Sequence, residues 1–183
     1  MKILSYSMDI YLRLALWVAF VATVAGANWA LATFGIVNIG LGLTAPAGVY
    51  FAGIAFTLRD LLHERGGRVW ILSAILTGAA LSGLLEEAQQ FAVASGSAFL
   101  LSELADWFVY TPLRKMGWAL AVVSSNFVGL VVDSILFLWL AFGSLDFIEG
   151  QVVGKAYMTI VAITIMWCVR HLTGNKWDST TTS

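Results

Sequence analysis

The chain has 183 residues, of which 60% are hydrophobic and 11% charged, and a net charge of −1. A soluble domain carries about 25% charged residues, so this composition excludes a soluble globular protein and points to an integral membrane protein, while the near-zero net charge argues against nucleic acid as a partner. The single cysteine, Cys168, excludes an internal disulfide and a cysteine-based metal site.

A membrane-spanning helix needs about 20 mostly apolar residues. Six segments qualify, and they predict an all-α membrane domain over 1–172 followed by a polar tail, 173–183. The first span covers 10–33. Lys2, Arg13, the apolar run after them and the small residues at 25–27 have the layout of a signal peptide, but the run continues through Trp29 to Phe34, which marks an uncleaved span. Along it Ala15, Ala19, Ala22, Gly26 and Ala30 recur at spacings of three and four, a stripe suited to close helix packing or to docking a partner subunit. The second span covers 45–63, the third 69–85, the fourth 91–113, the fifth 118–142 and the sixth 152–171. Gly40 and Gly42, Gly66 and Gly67, and Gly143 punctuate the connections, which are expected to be loops.

An even number of spans puts both termini on one side. That side carries Lys2, Arg13, Arg59, Arg65, Arg68, Arg114, Lys115, Arg170 and Lys176, and the other carries Glu86, Glu87, Asp146 and Glu149 with Lys155 as its one cation. This bias predicts cytoplasmic termini. Glu86, Glu87, Gln89 and Gln90 are expected in an outer loop, and His63 and His171 at the inner interface.

Polar residues inside the apolar zone are the most informative feature. An acid near the bilayer centre costs about 2.5–3.5 kcal/mol on insertion scales, so such residues must face a partner, a cavity or a ligand. The first span offers Asn28, the second Arg59, Asp60 and Glu64, and the fourth Ser102, Glu103, Asp106 and Tyr110. The fifth offers Ser124, Ser125, Asn126, Asp133 and Ser134. Glu103, Asp106 and Tyr110 share one helix face, and so do Asn126, Gly129 and Asp133, where the glycine leaves room for a ligand or a close helix. Helix rise places Asn126 and Asp106 in the inner half and Asp133 and Asn28 in the outer half, with Glu103 between. A structural ion pair between Arg59 and Glu103 or Asp106 would neutralise one acid. The other acids, with one arginine in reach, are expected to be protonated, hydrated or matched to a ligand.

Carboxylates accept pairs of N–H donors, asparagine donates and accepts, and the neighbouring aromatic residues offer stacking surfaces. Such a site suits a flat heterocycle with an amidine-like edge, and it also suits a cationic amine, another cation or a proton. There is no Ser/His pair, no HExxH and no two-histidine site at useful depth, so a membrane-embedded enzyme is not expected, nor any metal or cofactor.

Four pieces of the chain resemble the queuosine precursor transporters, also called the vitamin uptake transporter family: GANWA in the first span, PAGVYFAGIAFTLRDLLHERGG in the second, SELADWFVYTPLR in the fourth and SNFVGLVVDSILFLWLAF in the fifth. Their order and spacing also agree, from Ala25 to about Phe142. The resemblance implies a six-helix inner-membrane importer of 7-cyano-7-deazaguanine and 7-aminomethyl-7-deazaguanine, with a fold similar to the substrate-binding subunits of energy-coupling-factor transporters. It implies substrate contacts at Asn28, Asp60, Glu103, Asp106, Asn126 and Asp133. Glu103 or Asp106 would read the N–H edge of the base, Asn28 or Asn126 its carbonyl side, and Asp133 would sense the 7-substituent or carry a proton. The expected partners are the deazapurine and the lipid bilayer, with a second copy or an energising subunit left open. Import of another small heterocycle, or service as the binding subunit of a multi-component uptake system, are the competing readings.

Overall fold

A computed structural model describes residues 2–86, 88–113 and 115–173. Six helices form in chain order: α1 (Lys2–Phe34), α2 (Val49–Gly66), α3 (Arg68–Leu84), α4 (Gln89–Leu113), α5 (Trp118–Phe142) and α6 (Ile148–Thr173). Glu87, Arg114, Lys176 and the tail from 174 onward lie outside the described residues. Among the described residues three helices are long and apolar enough to cross a membrane: α1 over Asp9–Phe34, α4, and α5 over Val123–Phe142. The six expected spans thus all appear as helices, and three of them qualify as spans by length and composition. Helix α2 holds Arg59, Asp60, Glu64 and Arg65 within its 18 residues, and its charges lower its hydropathy.

The connection expected to be a loop around Gly40 and Gly42 is a hairpin. Strand β1 (Ile36–Gly40) pairs antiparallel with β2 (Leu43–Pro46), in a register that joins Ile36 to Pro46 and Asn38 to Thr44. The turn needs positive φ at Gly40, Leu41 and Gly42, which glycine supplies on either side of the leucine. The Asn38 side chain accepts the Gly40 N–H at 2.7 Å and tightens it. The second span accordingly starts four residues later than its apolar run suggests, because 45 and 46 belong to β2.

Neighbouring helices close a ring in the order α1, α3, α4, α5, α6, α2, with α4 and α5 in the most extensive contact. The apolar core gathers Phe20, Val21 and Val24 of α1, Ala55 and Leu62 of α2, Ile71, Ala74 and Ile75 of α3, and Phe99 of α4. The rings of Phe20 and Phe99 meet edge to face at 5.8 Å, a favoured aromatic geometry. Many large apolar side chains point outward instead, among them Val18, Leu76, Val93, Phe108, Phe127 and Ile160. An outward apolar face on helix after helix is the surface a lipid environment requires. Where charge meets this face at one end, the Arg68 guanidinium lies 4.5 Å from the Trp107 ring and Arg65 lies 3.6 Å from Asp9.

The small-residue stripe of α1 divides in two. Ala30 is buried and Gly26 faces the Phe51 ring of α2, whereas Ala15 and Ala22 remain exposed. At the hairpin end, α6 starts so close to β2 that a side-chain carbon on Gly150 would strike the Thr44 carbonyl. Gly150→Ala is therefore expected to lower stability by about 1–3 kcal/mol through forced backbone displacement. Thermal unfolding in detergent reads this, and an unchanged Tm contradicts the packing described.

Candidate functional site

The six residues expected to bind substrate fall into two groups. Asp60, Glu103, Asp106 and Asn126 surround Arg59, while Asn28 and Asp133 line a small cavity nearer the hairpin. The polar face of α5 serves both, since Asn126 and Asp133 are two turns apart, about 10 Å along the axis.

The first group is built on Arg59 of α2, which is 3% exposed. Its Nε and Nη2 donate to Asp60 Oδ1 at 3.0 and 2.7 Å, and Nη2 also donates to Asn126 Oδ1 at 2.8 Å. Asn126 Nδ2 returns a hydrogen bond to Asp60 Oδ2 at 3.1 Å, which closes a cycle between α2 and α5. From α4, Glu103 Oε2 lies 3.4 Å from Nη1 and Asp106 Oδ1 lies 3.7 Å from Nη2. Both contacts are charge proximity without a hydrogen bond, and both carboxylate oxygens are buried without a hydrogen-bond partner among the described residues. One guanidinium thus faces three acids. Asp60 meets the excess partly by hydration, with its side chain 44% exposed, whereas Glu103 and Asp106 are nearly enclosed. The glycine at 129 admits α4: its missing side chain faces the Ser102 carbonyl and the Asp106 Cβ. Tyr110 is half-buried one turn further along α4.

The second group contains a cation that the charge count assigns to the outer side. Lys155 of α6 is 1% exposed and donates to Asp133 Oδ2 at 2.6 Å and to Ser134 Oγ at 2.8 Å. The expectation of a single cation in reach of the acids is corrected here: Asp133 has a buried lysine. The signal was available, because Lys155 stands three residues inside the expected sixth span. Across the bundle, Asn28 Nδ2 donates to Ser82 Oγ of α3 and Ser95 Oγ of α4 at 2.9 and 2.8 Å. Nothing in the sequence singled out Ser82, Ser95 or Gln151.

Asn28, Ser95, Asp133, Gln151 and Lys155 line one cavity with Phe99 and Phe137, and Gly48 and Val49 close it beneath the hairpin. Its volume is about 30 Å³, the share of a single water molecule. Ligand pockets run to about 300–1,000 Å³, so this is a closed conformation in which any heterocycle requires the walls to part. The Phe56 ring stands between the two groups, 5.2 Å from Arg59 Cζ and 5.9 Å from Lys155 Nζ. A larger open groove lies elsewhere, between α1 and α3, lined by Leu14, Trp17, Val69, Trp70 and Ser73. It carries no titratable group.

A charged pair and a set of hydrogen-bonded amides and hydroxyls, buried within an apolar bundle, can orient a small polar ligand. The family model described as "Putative vitamin uptake transporter" matches residues 68–172, which covers α3 to α6 and so includes Glu103, Asp106, Asn126, Asp133, Gln151 and Lys155. No curated protein and no solved structure matches the chain.

Proposed function

The chain belongs to the vitamin uptake transporter family, and on that premise we propose that it imports the deazaguanine precursors of queuosine, 7-cyano-7-deazaguanine and 7-aminomethyl-7-deazaguanine, across an inner membrane without covalent chemistry. The observation that carries the reading is the small cavity between Phe99 and Phe137, where Asn28 and Asp133 offer hydrogen-bonding groups beside aromatic walls. These are the means of holding a flat, N–H-rich heterocycle. The substrate enters this cavity when the hairpin end opens. It then passes Phe56 to the Arg59 group, where Asp60, Glu103, Asp106 and Asn126 form an inward polar station. Both termini face the cytoplasm, as the loop charges favour.

A second reading has its own observation. Ala15 and Ala22 leave half of the α1 stripe uncovered, a face on which an energising subunit of a multi-component system could dock. Uptake of radiolabelled precursor into proteoliposomes holding this chain alone separates the two. Saturable uptake blocked by excess unlabelled precursor supports the solitary importer. Binding without uptake, with an ATPase module co-purifying from cells, supports the docked subunit.

A further inference from the structure

The cavity has two groups on α6 whose bonding capacity is unfilled. Gln151 is 2% exposed, lines the cavity, and its Oε1 is buried with no hydrogen-bond partner among the described residues. An unsatisfied buried acceptor costs about 1–3 kcal/mol, so this carbonyl calls for an N–H or O–H from whatever fills the space. Lys155 follows at i+4 on the same helix face. An ammonium has three donors, and two of them are engaged with Asp133 and Ser134. Across the cavity both N–H bonds of Asn28 are engaged with Ser82 and Ser95, which leaves its carbonyl as an acceptor. The cavity therefore presents two amide acceptors, one cationic donor and two aromatic rings.

Its charge is also settled. Lys155 and Asp133 neutralise each other at 2.6 Å, with side chains 1% and 4% exposed. A cationic ligand would bring a second positive charge beside Lys155 where water cannot screen it.

Resting on the import reading above, we infer that α6 supplies the specificity-determining side of the substrate site. Gln151 accepts an N–H from the heterocycle, Lys155 donates to an acceptor on it, and the pair selects an uncharged ligand over its cationic amine counterpart. The neutral nitrile form of the deazaguanine is thus preferred over the aminomethyl form.

Equilibrium binding of the two precursors to the purified full chain in detergent, by scintillation proximity, tests this alongside thermal unfolding. The wild-type protein is expected to bind the nitrile at least about tenfold more tightly than the amine. Gln151→Leu should weaken nitrile binding by about 10–100-fold, as loss of a buried hydrogen bond to ligand does. It should leave Tm equal to or above the wild-type value, because it removes an unsatisfied acceptor; a merely structural glutamine would lower Tm. Gln151→Glu adds a negative charge beside Lys155 and should shift the preference towards the amine. Unchanged affinity in Gln151→Leu, or a wild-type preference for the amine, overturns the inference while the import reading stands. Failure of the wild type to bind either precursor overturns both.

Discussion

Replacing Arg59 with methionine is expected to produce the largest loss of stability of any single substitution in the bundle, and to abolish uptake with it. The guanidinium is the shared counter-ion of Asp60, Glu103 and Asp106, and it holds α2 to α5 through Asn126. Asp60 can fall back on water, but the side chains of Glu103 and Asp106 are only 11% and 12% exposed. Removing one partner of a buried ion pair costs about 3–5 kcal/mol because it strands the other charge, and here two enclosed carboxylates are stranded together. Adding Glu103→Gln and Asp106→Asn to Arg59→Met should recover most of the lost stability, since neutral amides need no counter-ion. Thermal unfolding in detergent follows both steps. An Arg59→Met protein that melts like the wild type contradicts this view of the cluster, as does a triple variant no more stable than the single.

The second large effect is expected at Lys155 and Asp133, in the form of non-additivity. Lys155→Met leaves the Asp133 carboxylate buried and unpaired, and Asp133→Leu leaves the lysine with Ser134 alone. Each single change should cost about 3–5 kcal/mol. The double variant replaces a buried pair with apolar side chains, which is often neutral or stabilising, so its stability should return close to that of the wild type. A double-mutant cycle measures this coupling directly. Uptake should remain absent in the double variant, because the cavity then lacks its cationic donor and a carboxylate acceptor. Additive losses in the cycle contradict the pairing. Full uptake by the double variant removes both residues from substrate handling.

The helices were legible because each follows a long apolar run, three of them long and apolar enough to cross a membrane. The bounds of α5 coincide with its apolar run at 118–142, where a positive-φ glycine, Gly143, ends the helix in the left-handed conformation. The hairpin was not legible. Its glycines mark a turn whether or not strands flank it, and two short strands gain their support from tertiary packing, here of β2 against the start of α6. The proximity of Arg59 to Glu103 and Asp106 followed from their comparable depth along the second and fourth spans. Its stronger bonds to the adjacent Asp60 did not, because they depend on rotamers that spacing leaves open.

Lys155 shows where charge counting misleads. A lysine near a helix end ordinarily extends towards water, and that habit placed it outside. Asp133 faces it from α5 at matching depth, so the ammonium turns inward. The serines that receive Asn28 carry no sequence signal at all, since serine is common wherever membrane helices pack closely. The division of six expected contact residues into a cavity and an arginine cluster could be reached only through the arrangement of the helices.

The central claim, that this chain imports a deazaguanine precursor, is tested most directly by complementation. Cells unable to make either precursor and lacking their own importer would express the chain and receive one precursor at a time at low concentration, with queuosine in tRNA as the readout. Restored modification, lost again with Arg59→Met, is the predicted result. Unmodified tRNA in cells whose membranes contain the folded protein would contradict the claim.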